Sequence, residues 1–271
     1  MTLVALHEAV DEATFGGKAV QLAAAIRAGL PVPGGMALAA TLVDAVAAME
    51  PGAMASLASA WSALGGPLAV RSSAVGEDSE AASFAGQHLT RLNVNSAEAL
   101  IEAVRAIRES AHEASALGYR DRLGIAGPPR IGVVLQRLVI PDCAGVLFTQ
   151  NPLDGRDERV IEASWGLGEA VVAGLVTPDR YRVSRDGRVV ERTPGTKSIE
   201  IRVVPGEGTR EEPVAAERVR ALCLEDAHLH RLHALACRCE EVFGGAQDLE
   251  WAFAGESLHL LQRRAITRGA G

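Results

Sequence analysis

Two stretches late in the chain, RYRVSRDGRVVER (180–192) and AQDLEWAFAGESLHLLQRR (246–264), restrict the fold more than any other feature. Each consists of two alternating runs broken by a tight-turn pair, Asp186-Gly187 in one and Gly255-Glu256 in the other. That pattern predicts strand, turn, strand. Antiparallel neighbours joined this closely do not belong to a doubly wound parallel sheet, whose strands need long crossovers. The runs RIGVVLQRLVI (130–140), AGVLFTQ (144–150) and ERVIEASW (158–165) also read as strands, as does the apolar run into Arg71. Helical spacing marks Lys18–Leu30, opened by Phe15-Gly16-Gly17 and stopped by Gly29 and Pro31. Further helices are predicted near Thr41–Met49 and Ala55–Leu64, from an N-cap at Ser96 to about Leu117, and over 213–243. The mixture predicts an α+β fold rather than a doubly wound one. We expect two lobes, 1–138 and 139–271, a division that suits 271 residues.

Composition narrows the function classes. A net charge of −7, with Lys and Arg scattered along the chain, argues against a nucleic-acid surface as the main business. An acidic protein that handles a polyanion must place its few cations locally, so each Lys or Arg beside Gly or Ser draws attention. The opening residues MTLVALHEAVDEATFGG carry acids inside the apolar stretch and no basic leader, so no signal peptide is expected. The apolar stretch Met36–Met49 holds Thr41 and Asp44, is too short to span a bilayer and reads as a core-facing helix. Cys143, Cys223, Cys237 and Cys239 show no framework spacing, and free thiols and a cytoplasmic home are expected.

Four segments place polar groups where an apolar pattern would otherwise continue. Gly16-Gly17-Lys18 opens a helix, where free N–H groups and a lysine favour an anion. Ala19 stands where a Walker loop needs Ser or Thr, so the segment is not one, and a surface lysine after a turn fits it as well. In AVRSSAVGEDSEAASFAGQ (69–87), Arg71 ends an apolar run beside Ser72 and Ser73, and Gly86 lets backbone come close. An anion site and an ordinary salt-bridged loop both fit that pattern. In the late pair, Glu250 and Gln262 could share a face in paired antiparallel strands, and Arg264 lies near. A carboxylate beside an amide oxygen suits Mg²⁺ with phosphate and water, and an arginine suits phosphate; a solvent-facing strand pair fits equally. The run VVLQRLVI offers extended backbone to a purine, or is a buried strand with no such role. His230, His233 and Cys237 line one helical strip, but Leu229, Leu232, Ala236 and Phe243 mark that helix's buried face, which argues against a metal.

With those segments in hand, the chain resembles the N-terminal ATP-binding domain of the phosphoenolpyruvate synthase, pyruvate phosphate dikinase and rifampin phosphotransferase family. The resemblance rests on FGGKAVQLAAAIRAGLPVPGG, AVRSSAVGEDSEAASFAGQ, GVLFTQNPLDGRDERVIEASWGLGEAVVAGLVTPDRY and QDLEWAF…LLQRRAIT, which follow in family order from residue 15 to 267. It implies an ATP-grasp-type fold with the nucleotide between two lobes. It also implies that Lys18 and Arg71 contact ATP phosphates, with Gly86 and Thr90 in the loop that closes over them. Gln136, Leu138 and Val139 are implied as the adenine-binding hinge, Glu250 and Gln262 as Mg²⁺ ligands, and Arg264 as a phosphate-gripping arginine. Lys18, Arg71 and Arg264 are thereby the expected catalytic cations, and ATP and Mg²⁺ the cofactors.

Three departures from the family pattern shape the functional expectation. The stretch between Pro33 and Val70 is short, so part of the first lobe is trimmed, and His88-Leu89 precede Thr90 where the family carries Gln-Asp or Gln-Glu. The sequence stops at Gly271 without a Thr-Ser-His motif, whereas family members continue into a domain with a phosphorylatable histidine. The expectation is a Mg·ATP-binding subunit of a split phosphotransferase, passing a phosphoryl group to a histidine on a separate partner, with no membrane or nucleic-acid role. The alternatives are a self-sufficient ATP-grasp ligase or kinase acting on a small carboxylate or hydroxyl, and a nucleotide-binding protein without turnover.

Overall fold

The computed structural model describes residues 2–74, 89–111, 130–206 and 208–266. The chain divides into two compact units, one of residues 1–27, 33–138 and 204–208, the other of 28–32, 139–203 and 209–271. The architecture is mixed α/β, and every pairing between named strands is antiparallel.

The first unit contains β1 (Leu3–Ala5), α1 (Glu12–Phe15), α2 (Gly17–Arg27), β2 (Gly35–Leu38), α3 (Ala40–Ala47), α4 (Pro51–Leu64), β3 (Leu68–Ala74), β4 (Thr90–Val94), α5 (Ala97–Ser110) and β5 (Ile131–Arg137). Its five strands lie in the order β1-β2-β5-β3-β4. Helix α5 starts where Ser96 Oγ accepts the Ala99 N–H at 3.0 Å, and it buries Leu100, Ala103, Val104 and Ile107 along one stripe. That stripe joins Leu42, Val46, Leu57 and Ala60 of α3 and α4 over Leu68, Val70, Val133 and Leu135 of the sheet. Helix α4 begins with Pro51, whose missing N–H costs nothing in the first turn. Residues 204–208 are held by Asn93, whose Nδ2 donates to Val204 O and Gly208 O at 2.9 and 2.8 Å.

Met36–Leu38, expected as helix, form β2 instead, because Gly35–Leu38 pair with β5 on one side and Met36–Leu38 with β1 on the other. The predicted end of the Ser96 helix falls in 112–129, outside the described residues, as does Gly86.

The second unit contains β6 (Cys143–Phe148), β7 (Glu158–Trp165), α6 (Glu169–Val172), β8 (Asp179–Ser184), β9 (Val189–Thr193), β10 (Ile199–Val203), β11 (Thr209–Pro213), α7 (Asp226–Phe243), β12 (Gln247–Ala254) and β13 (Ser257–Ala265). Six strands form a sheet in the order β13-β12-β6-β7-β8-β9, and β10 and β11 form a separate pair. Residues 28–32 belong here through Leu260 N donating to Pro31 O at 2.9 Å and Arg238 Nη2 to Ala28 O at 3.0 Å.

The helix predicted over 213–243 is confined to Asp226–Phe243. The preceding residues cannot wind, because their amides are committed to buried partners: Cys223 N donates to Asp179 Oδ2 at 2.8 Å and Leu224 N to Tyr181 Oη at 3.1 Å. Asp179 is the hub of this anchor. Fully buried, it also accepts from Gly195 N at 2.8 Å and from the ammonium of Lys197, itself fully buried. A buried carboxylate is tolerated when it is paired and its remaining lone pairs are filled, as here.

Candidate functional site

In the first unit the candidate cations gather where α2 starts. Gly16 has φ of 81° and lies so close to β3 that a Cβ on it would fall 1.9 Å from Ser73 O. No side chain fits, and φ in this region suits glycine. The approach lets Ser73 Oγ accept the Ala19 N–H at 3.0 Å, and Lys18 Nζ donate to Ser72 O at 2.8 Å. Lys18 is buried at 3% exposure, which places its ammonium one residue from Arg71 on the chain rather than loose in solvent.

Strand register then selects the neighbours of Arg71. Leu68 and Val70 point into the helical core with Leu135 and Val133, so Arg71 points to the opposite face. Across β4 it stands opposite Thr90, and across β5 opposite Val134. Gln136, one pair along and opposite Ala69, shares this face. Arg71, Thr90 and Gln136 therefore share the face on which Ser73 meets the start of α2. Gln136 is buried, and its Nε2 donates to Pro33 O at 3.3 Å. Leu138 closes β5 by donating its N–H to Pro67 O at 3.0 Å, and Val139 begins the second unit.

In the second unit the decisive device is a break in register. Trp251 pairs with Leu260, yet Glu250 pairs with Gln262, so Leu261 is an extra residue on β13. A β-bulge changes the parity of the strand beyond it. Without it, Gln262 would follow Leu258 and Leu260 onto the face of Trp251, the face buried in the core. With it, Gln262 lands opposite Glu250 and Arg264 opposite Asp248, while Arg263 turns to the other face and donates to Gln247 Oε1. Asp248, Glu250, Gln262 and Arg264 thus form a polar patch on one face. The same row continues across the sheet through Val146 to Glu162.

Asp248 escaped the sequence reading. Its signal was there in retrospect: it is two residues from Glu250, which on a strand means the same face. Its Oδ1 is buried without a hydrogen-bond partner among the described residues, as is Nε2 of Gln262. Burial, reinforced by the neighbouring Glu250 and opposed by Arg264, pushes the Asp248 carboxyl up to about 6. Two acids and an amide carbonyl are hard oxygen donors, the set that fits Mg²⁺, and the arginine beside them fits the phosphate such an ion carries. The orphaned Oδ1 is the kind of atom such an ion would satisfy.

Among the described residues, the His230–His233–Cys237 strip forms no metal cluster with other acids or thiols. All four cysteines are free thiols. No helix among the described residues is long and apolar enough to cross a membrane.

Comparison with known proteins places the chain in a family. Residues 42–270 match the model described as pyruvate phosphate dikinase, AMP/ATP-binding domain. A rifampicin phosphotransferase from Streptomyces sviceus is 43% identical over 201 residues, which is 73% of this chain and 23% of that protein. A probable phosphoenolpyruvate synthase from Methanothermobacter thermautotrophicus is 41% identical over 202 residues, 74% of this chain and 29% of that protein. The rifampicin phosphotransferase of Bacillus subtilis is 35% identical over 201 residues, 73% of this chain and 23% of its own length. The chain thus matches about a quarter of the length of these relatives. With an antiparallel α/β framework and a family match over most of its length, the chain belongs to the pyruvate phosphate dikinase AMP/ATP-binding domain family.

Proposed function

We propose that this chain is the Mg·ATP-binding component of a phosphoenolpyruvate synthase-like phosphotransferase of the ATP-grasp type. The observation that carries the reading is the bulge at Leu261, which turns Gln262 and Arg264 onto the face of Asp248 and Glu250. A bulge that breaks a ladder to collect two acids, an amide and a guanidinium serves a ligand better than it serves packing.

In this reading Asp248, Glu250 and Gln262 hold Mg²⁺, which when bound neutralises charge on the phosphates. Arg71 and Arg264 grip phosphate oxygens with planar forks of donors, and Lys18 adds a compact charge. Thr90, opposite Arg71, offers a hydroxyl to the same anion. Gln136, Leu138 and Val139 receive the base where the chain leaves β5. Phosphoryl transfer asks mainly for positioning and charge neutralisation, which these groups supply. The net transfer leaves one phosphoryl group on a histidine of a separate protein and gives the other phosphate to water, so that ATP, water and histidine yield AMP, phosphate and phosphohistidine.

A product assay with ATP and a candidate histidine-bearing partner tests the reading. AMP and phosphate, with phosphate retained on the partner's histidine, are expected. ADP formed without any partner would identify a self-sufficient kinase or ligase instead. A melting temperature unmoved by millimolar Mg·ATP would refute nucleotide binding itself, since a ligand at a hundredfold excess over Kd stabilises by about 2.7 kcal/mol.

A further inference from the structure

The helical strip His230–His233–Cys237, set aside as a metal site, meets a buried arginine in the second unit. Arg159 on β7 is fully buried, and its Nη2 donates to Cys237 Sγ at 3.1 Å and to Glu240 Oε2 at 2.9 Å. His233, one turn before Cys237 on α7, brings Nε2 to 3.6 Å from the same sulfur. Glu240 is shared with Arg185, whose Nη1 reaches Oε1 at 2.7 Å, and Arg185 in turn pairs with Asp157 at 3.1 Å. A guanidinium this close to sulfur opposes a metal cation there.

We propose that Cys237 is a hydroperoxide-sensitive modification site, activated by His233 and Arg159, whose product is a sulfenic acid held by Arg159. Attack by sulfur needs a base to take its proton and a donor to hold the charge left behind. In the tautomer that carries the proton on Nδ1, a buried atom without a hydrogen-bond partner among the described residues, His233 presents the Nε2 lone pair to the sulfur. Burial, with Arg159 and Arg185 nearby and Glu240 opposing them, holds the imidazole below its usual range, so it is neutral at pH 7 and able to accept. The sulfur attacks one peroxide oxygen, an S–O bond forms and the O–O bond breaks. Sulfur loses two electrons, the peroxide gains them, and the departing oxygen takes the proton from His233 and leaves as water or alcohol.

A second observation points to an acceptor at this place. Nε and Nη1 of Arg159 are buried with no hydrogen-bond partner among the described residues. An unfilled buried donor is costly, and an oxygen on the adjacent sulfur supplies the acceptor. The other three thiols offer no competition. Cys143, Cys223 and Cys239 are buried, and burial pushes Cys143 and Cys239 up to about 12 and raises Cys223 as well. Cys237 is half-buried, the most open of the four.

The test treats the native full chain with hydrogen peroxide, traps sulfenic acid with dimedone and locates the adduct by peptide mass spectrometry. A dimedone adduct on Cys237 is expected, abolished when dithiothreitol is added before the dimedone, and formed about tenfold or more faster than on the same cysteine in urea-unfolded protein. A native rate equal to or below the unfolded one overturns the proposal, and this comparison needs no variant to fold. His233→Asn is expected to slow labelling about tenfold while leaving Mg·ATP binding intact. Unchanged labelling in that variant overturns the role of His233 as base.

Discussion

Replacing Asp248 by asparagine is the sharpest test of the β12–β13 patch, because the structure predicts that the wild-type acid weakens the fold. Its carboxyl is raised from 3.8 to about 6, chiefly by burial. Between those values the native state holds a proton that the unfolded chain has released, so stability falls as pH rises through the window. Below it there is no penalty; above it the penalty is complete. From the shift, the charged acid costs about 3 kcal/mol at pH 7 and about 1.5 kcal/mol at pH 5. Asp248→Asn removes a charge that must be desolvated and keeps nearly the same shape. The variant is therefore expected to be more stable than wild type at pH 7 without Mg²⁺, with an advantage that shrinks by about half at pH 5. Urea unfolding of both proteins at pH 5, 6 and 7 measures this directly. Adding Mg·ATP reverses the order if the patch holds the metal, because the ion favours the charged carboxylate. A stability difference that does not change with pH would refute the burial argument. So would a variant that loses stability increasingly as pH rises.

Arg71→Ala is expected to abolish turnover with little change in melting temperature, and Arg71→Lys to restore it only partly, since a lysine lacks the planar fork. Normal turnover in a folded Arg71→Ala protein would remove Arg71 from the site. Glu250→Gln is expected to weaken Mg²⁺-dependent turnover far more than metal-free nucleotide binding; wild-type turnover at limiting Mg²⁺ would show that it is no ligand. Lys197→Met leaves the Asp179 carboxylate buried without its ammonium partner and is expected to cost about 3–5 kcal/mol in chemical denaturation. A loss below about 1 kcal/mol would mean that the two backbone donors to Asp179 suffice alone.

The sequence by itself determined the local elements whose signals are local. Helix α5 is legible because Ser96 caps it and Leu100, Ala103, Val104 and Ile107 repeat at helical spacing. The strands around Asp186-Gly187 and Gly255-Glu256 are legible because turn chemistry and alternation act over a few residues. Long-range commitments were not legible in the same way. Residues 214–225 look compatible with a helix until Asp179 and Tyr181, more than forty residues away, claim the amides of Cys223 and Leu224. Met36–Leu38 read as helix until two neighbouring strands supply the hydrogen bonds that make them β2. The candidate residues divide along the same line. Arg71, Lys18, Glu250 and Gln262 were visible as residue types in family-like motifs, but a motif does not state which face a side chain takes. Only the tertiary structure decided that, through the close approach of Gly16 to Ser73 in one unit and the extra residue Leu261 in the other. The physical reason is parity: side chains alternate along a strand, so one inserted residue, unmarked in composition or periodicity, exchanges the two faces and carries Gln262 and Arg264 to Asp248 and Glu250.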